Sequence, residues 1–163
     1  MERGLITAYC GEGRGKTGAA LGQGIMAAEN GRSVIVIQFL KGRQRELEIL
    51  DRMEPEFRIF RFEKFPRNYN ELTPEEQVEE SANIRNALGF AKKVLVTGEC
   101  DLLILDEILG LFDLGLMSVD EMKSLLAAKE EETELVVTGI HLREELFECM
   151  DKVYEIEPMK ECK

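Results

Sequence analysis

The stretch Cys10-Gly11-Glu12-Gly13-Arg14-Gly15-Lys16-Thr17 constrains the fold more than any other part of the chain. It follows the apolar run Leu5-Ile6-Thr7-Ala8-Tyr9 and precedes a segment rich in Ala and Gly with helical character. Strand, glycine loop and helix start, in that order, form the context of a phosphate-binding loop. Glycines let the backbone curl so that successive N–H groups face phosphate oxygens, and the helix N-terminus adds partial positive charge. In such a loop Lys16 neutralises the outer phosphates, the Thr17 hydroxyl ligates Mg2+, and Arg14 adds a second cation. The strict pattern G-x-x-x-x-G-K-[ST] misses by one residue. Cys10 occupies the first glycine position, with Gly11 and Gly13 beside it. The competing reading is a glycine-rich turn carrying a surface lysine. It leaves the Lys-Thr pair after a strand unexplained.

Six short apolar runs have strand character: residues 5–10, 33–39, 57–62, 101–105, 134–138 and 152–156. Several are continuous rather than alternating, as in Val34-Ile35-Val36-Ile37, which suits strands covered on both faces of a parallel sheet. Helical segments lie between them. The first spans 17–30 and stops at Gly31. The next opens on Thr73-Pro74-Glu75-Glu76, with Thr as N-cap, Pro at the first helical position and Glu three residues after the cap. It runs to residue 96, with Gly98 beyond. Ser118-Val119-Asp120-Glu121 reads as a second capping box, and a last helix covers 142–150. The alternation predicts an α/β protein: one phosphate-loop (RecA-like) domain over residues 1–163, with a mostly parallel sheet of six strands and helices on both faces. Only residues 63–72, with Pro66, Asn68 and Asn70, lack clear structure. Such loops lie at strand ends and often carry function.

A second motif supports the nucleotide reading. In Leu102-Leu103-Ile104-Leu105-Asp106-Glu107 the apolar run buries a strand and the acids emerge at its end. There Asp106 and Glu107 can hold Mg2+ directly or through water. Asp-Glu after a strand also suits a helix N-terminus, but the glycine loop upstream favours the metal role.

Composition narrows the partners. A length of 163 residues fits one domain, and 44% hydrophobic residues supply a core. A net charge of -11 disfavours nucleic acid as a general partner. Residues 41–67 hold eight Lys or Arg against six Asp or Glu and read as a solvated mixed-charge surface. No apolar run reaches the ~18 residues of a membrane span. Met1-Glu2-Arg3-Gly4 leads straight into the first strand, so no signal peptide is expected. Cys10, Cys100, Cys149 and Cys162 show no C-x-x-C spacing, and His141 is the single histidine. That argues against zinc and suits reduced thiols in the cytoplasm.

Taken together, the motifs and their flanks resemble the ATP:cob(I)alamin (corrinoid) adenosyltransferases of the phosphate-loop type. Residues 11–17 are similar to that family's G-N-G-K-G-K-[ST], which has the same displaced glycine. Val36-Ile37-Gln38-Phe39-Leu40-Lys41-Gly42 is similar to its V-Q-F-[IL]-K-G. Residues 102–107 resemble its L-x-x-L-D-E strand, Leu135-Val136-Val137-Thr138-Gly139 its [VI]-x-T-G strand, and Glu155-Ile156-Glu157-Pro158-Met159-Lys160 its closing E-x-x-P-V-K. The chain departs from the family in five places, one being Gly18 after Thr17 where the family has Ser or Thr. Thr138-Gly139-Ile140-His141 replaces T-G-R-G. Phe62-Glu63-Lys64-Phe65-Pro66-Arg67 stands where many members carry G-F-T-W. The segment after Lys41-Gly42 is shortened, and the usual tail is absent.

The resemblance implies an enzyme that joins the adenosyl group of ATP to Co(I) of a corrinoid and releases triphosphate. ATP would bind through Gly11, Glu12, Gly13, Arg14, Gly15, Lys16, Thr17 and Gly18, with Lys16, Arg14 and Glu107 serving the reaction. Mg2+ would be held by Thr17, Asp106 and Glu107. It also implies a homodimer, and the chemistry implies a reductase that delivers Co(I). Phe62, Phe65 and Tyr69 form an aromatic cluster in the irregular segment and are nominated for the corrinoid face, against ordinary core packing. His141 reads as a surface residue and Cys10 as a small buried one. Two other readings stay open: another phosphate-loop ATPase or small-molecule kinase, and an ATP-sensing regulatory module.

Overall fold

The computed structural model describes residues 2–40 and 48–162. Lys41 and Gly42, and the start of the basic stretch 41–67, lie outside the described residues. The chain runs β1 (Ile6–Cys10), α1 (Lys16–Glu29), β2 (Val34–Gln38), α2 (Glu48–Asp51), β3 (Phe57–Arg61), α3 (Pro74–Thr97), β4 (Leu102–Asp106), α4 (Val119–Ala127), β5 (Glu134–Thr138), α5 (Glu144–Phe147) and β6 (Lys152–Glu155). Single 3-10 turns lie at Tyr69–Glu71 and Ile108–Leu111.

All six strands are parallel, in the order β3-β2-β4-β5-β1-β6. Every residue of β2 and β4 is buried. Parallel strands joined through helices are covered on both faces, so the continuous apolar runs of the sequence are what this position requires. Side chains alternate between the faces. Val34, Val36, Phe57, Leu102, Ile104 and Val136 pack with Ala20, Leu21 and Ala27 of α1. Ile35, Ile37, Leu103, Leu105 and Val137 pack with Ile84, Ala87 and Ala91 of α3 and Met122 and Leu125 of α4. Full burial of one such aliphatic side chain contributes about 1.5–3 kcal/mol. Gly24 lets α1 lie close: a Cβ there would come within 2.8 Å of the Phe57 ring.

The strong start signal of α3 is realised in both directions. The Glu76 amide donates to Thr73 Oγ1 at 3.2 Å, the Thr73 amide donates to Glu76 Oε1 at 3.0 Å, and Gly98 ends the helix at φ 62°. The box at α4 is half used. Ser118 Oγ accepts the Glu121 amide at 3.1 Å, but the Glu121 carboxylate pairs with Arg85 of α3 instead, at 2.6 Å. The last helix is shorter than the expected 142–150: α5 holds four residues. Upstream of the expected span, the Ile140 carbonyl accepts the Gly11 amide at 2.8 Å.

Because the strands are parallel, all their C-terminal ends share one edge, where ligands of open α/β sheets bind. Two non-glycine residues with left-handed backbone sit there, Leu40 (φ 59°) after β2 and Glu107 (φ 64°) after β4. Such conformations cost about 1–3 kcal/mol each and cluster at functional sites.

Candidate active site

The loop between β1 and α1 curls as its glycines predict, and the glycines divide into two groups. Gly15 caps α1 with φ 107° and nothing near its Cβ position, so backbone conformation alone selects it. Gly11, which shares the φ of 107°, and Gly13 also answer to a close approach: a Cβ on either would lie 2.4 or 2.6 Å from the Ile156 carbonyl oxygen. That carbonyl accepts the Gly13 amide at 2.7 Å, and the Ile156 amide donates to Cys10 O at 2.8 Å. The Glu12 amide donates to Glu157 Oε1 at 3.2 Å. The first half of the loop is therefore docked on the closing segment. The amides of Arg14, Gly15, Lys16 and Gly18 have no hydrogen-bond partner among the described residues. With the opening turn of α1 they form the donor end, where the helix N-terminus favours an anion.

Lys16 Nζ donates to its own loop at Gly13 O, 2.8 Å away, and keeps two further protons to donate. Arg14 and Glu12 are exposed, and Gly18 is exposed on the first turn. Thr17 projects to the end of β4, where its hydroxyl donates to Asp106 Oδ1 at 2.9 Å. Glu107 is half-buried with a left-handed backbone, and its amide donates to Thr138 Oγ1 at 2.8 Å. Cys10 is buried. Burial, with Glu155 and Glu157 behind it, pushes its thiol pKa up, so it is a packed thiol and no nucleophile.

Asp106 is fully buried, and a carboxylate in that position requires donors. Thr138 Oγ1 donates to Oδ1 at 2.7 Å and Gln38 Nε2 to Oδ2 at 3.2 Å. Gln38 Oε1 in turn accepts Arg61 Nε at 2.6 Å. Sequence reading gave no role to Gln38, Arg61 or Thr138. A usable signal was present: the apolar strands V-I-V-I-Q, F-R-I-F-R, L-L-I-L-D and E-L-V-V-T each end on a polar residue. Thr17 and Asp106 offer hard oxygen donors in direct contact, with Glu107 adjacent. This donor set suits Mg2+, which takes one or two protein ligands and completes its shell with phosphate oxygens and water. Among the described residues no cluster of His, Cys, Asp or Glu suits a metal bound by protein alone.

The aromatic nominees separate. Phe62 packs into the core with its ring 5.6 Å from that of Phe90, which also meets Phe60 at 5.0 Å. Phe65 is half-buried beneath Lys64, whose Nζ lies 6.0 Å from the ring centre. Only Tyr69 of the three lines the cavity of about 230 Å3 at this edge, with Leu40, Glu63, Arg67, Asn70 and Leu114. Two carboxylates set the loop beside it. Glu63 Oε2 accepts the Leu40 amide at 2.6 Å. Buried Glu80 accepts the Lys64 and Phe65 amides at 2.9 and 2.8 Å. Burial pushes the Glu63 pKa up to about 7, against the pull of the Leu40 amide and with help from Glu80. His141 is exposed.

An all-parallel sheet, a glycine loop opening α1, and a lysine and threonine facing a strand-end aspartate define an α/β protein of the phosphate-loop class. A family model narrows this further. ATP:corrinoid adenosyltransferase BtuR/CobO/CobP matches residues 2–162, and the chain belongs to that family. It is an enzyme, a corrinoid adenosyltransferase. The chain is similar to the Corrinoid adenosyltransferase of Escherichia coli K12, 29% identical over 98% of this chain and 79% of that protein. It is similar to Corrinoid adenosyltransferase CobA of Salmonella typhimurium LT2, 27% identical over 98% of this chain and 79% of that one. An uncharacterised protein of Nostoc sp. PCC 7120 is 32% identical over 96% of this chain and 44% of its own length.

Proposed function

We propose that this enzyme transfers the 5′-deoxyadenosyl group of ATP to the Co(I) ion of a corrinoid substrate and releases triphosphate. The electron pair of Co(I) attacks C5′ of the ribose. A cobalt–carbon bond forms, the C5′–oxygen bond breaks, its electrons leave with the triphosphate, and cobalt ends formally as Co(III). The observation that carries this reading is the contact of Thr17 with Asp106 beside the free amides and Lys16, on a chain of this family.

The nucleophile arrives as part of the substrate, so the protein has no need of a general base. Its task is to stabilise a polyanionic leaving group with donors already in place. The amides of residues 14–16 and 18, Lys16 and Arg14 serve that end. Mg2+, when held through Thr17, Asp106 and Glu107, supplies further charge neutralisation. Docking of Gly11 and Gly13 on Ile156 keeps the loop rigid, which limits reorganisation during the reaction. The corrinoid sits over the same edge beside Tyr69, with Phe65 at its border and Phe62 behind in the core. The family and the chemistry support a homodimer and a reductase that supplies Co(I).

The test is anaerobic incubation with ATP, Mg2+ and chemically reduced cobalamin, followed by visible spectroscopy. The adenosylcobalamin spectrum, light-sensitive and dependent on Lys16, supports the reading. ATP consumption with cobalamin left unalkylated refutes it in favour of phosphoryl chemistry. Tight ATP binding with neither outcome points to a sensor.

A further inference from the structure

Four polar side chains end four neighbouring strands, on one face of the sheet. Arg61, Gln38, Asp106 and Thr138 close β3, β2, β4 and β5, which are adjacent in that order. Arg61 pairs in register with Gln38, and Gln38 with Asp106. Residues two positions back along the same strands, Ile59, Val36, Ile104 and Val136, pack on the α1 side. By alternation the polar row faces α1, and Thr17 meets it from there. Asp106 alone belongs to the metal role; the family resemblance gives Arg61 no task.

The chemistry of Gln38 gives Arg61 one. A carboxamide has a donating end and an accepting end, and the two ends have nearly the same shape. Beside a fully buried carboxylate only the donating end is tolerable. A carbonyl turned toward Asp106 would set oxygen against oxygen where water cannot screen them. Arg61 can only donate, and its Nε lies 2.6 Å from Gln38 Oε1. The guanidinium therefore fixes the accepting end on its own side and forces the amide protons toward Asp106 Oδ2, 3.2 Å away. We infer that Arg61 is a positioning residue: by orienting Gln38 it holds the Asp106 carboxylate in the one arrangement that receives the metal of a metal–nucleotide complex. This rests on the Mg2+–ATP part of the proposed function. Outer partners of this kind typically change metal affinity 10–100-fold.

The experiment measures Mn2+ binding by electron paramagnetic resonance in the presence of a non-transferable ATP analogue. Metal-free nucleotide binding is measured alongside, and corrinoid is left out. Arg61→Met should weaken Mn2+ binding roughly tenfold while metal-free nucleotide affinity moves less than about twofold. Gln38→Leu should do the same, and the double variant should be no worse than the weaker single, because both act through one contact. Arg61→Lys, which restores a donor, should recover most of the loss. Thermal melting of each variant confirms folding, with Arg61→Gln in reserve if the methionine variant fails to fold. Wild-type Mn2+ affinity in Arg61→Met overturns the inference. So does an equal loss of metal-free nucleotide binding, or full additivity in the double variant. A wild-type protein that binds the analogue yet recruits no Mn2+ overturns both this inference and the metal part of the proposed function.

Discussion

The two halves of the sheet's C-terminal edge are held together by different chemistry. At the half formed by β1, β4 and β5, backbone does most of the work: loop amides meet the carbonyls of Ile140 and Ile156, and the one buried acid, Asp106, is met by neutral hydroxyl and amide donors. At the half beyond β2 and β3, side-chain carboxylates do it: Glu63 and Glu80 hold the amides of Leu40, Lys64 and Phe65. A site that receives a polyanion needs donors left unpaired for it, and among the described residues the first half has them in the amides of Arg14, Gly15, Lys16 and Gly18, even though Glu157 holds the Glu12 amide. This difference supports the proposed placement of the triphosphate on the first half and of the corrinoid on the second.

The sharpest way to break this division is Lys16→Ala. With its charge gone from the phosphate end, turnover should fall about 10²–10³-fold, the scale of losing one preorganised stabilising donor. Melting temperature should hold, since the lysine contacts only Gly13 of its own loop. A variant of undiminished activity would move the triphosphate elsewhere.

Next in size is the pH response of the second half. The folded pKa of Glu63, about 7, lies above its ordinary 4.5, so the folded state holds this proton more tightly than the unfolded chain. Its contribution to stability is whole below the lower value and is lost as pH rises through the upper one. Glu63→Gln removes that loss. Denaturant unfolding at pH 5 and pH 8 should show the variant gaining on wild type with rising pH, by on the order of 2 kcal/mol. A constant difference would show that the carboxyl titrates normally.

Two aromatic substitutions sharpen the boundary of the proposed corrinoid region. Phe62→Ala should cost about 2 kcal/mol of stability, because the ring is partly buried against Phe90. Phe65→Ala should leave stability nearly unchanged and raise the KM for the corrinoid. Unaltered turnover with cobalamin would remove Phe65 from the site. Smallest is Thr73→Ala, which removes the cap of α3 and should lower stability by about 1 kcal/mol without touching either substrate.

How far the sequence revealed these halves follows from locality. The glycine loop, the strand ending in Asp106-Glu107 and the caps of α3 are contiguous signals, and each appears where the sequence puts it. The row Arg61–Gln38–Asp106–Thr138 joins residues 23, 68 and 32 positions apart, so it exists only once strand order is known. The same holds for Gly11 and Gly13. Their glycines read as a phosphate cradle, yet the close neighbour is the Ile156 carbonyl, more than a hundred residues on. Phe62 and Phe65 were singled out by their irregular surroundings, a criterion that does not register that Phe90 on α3 claims the first of them.

The most direct test of the central claim is the identity of the phosphorus product. ³¹P nuclear magnetic resonance of an anaerobic reaction with ATP, Mg2+ and Co(I) cobalamin reads it in one spectrum. Intact triphosphate, formed one for one with the cobalt–carbon bond, is the expected product. ADP with orthophosphate, formed at the same rate with or without the corrinoid, would contradict it.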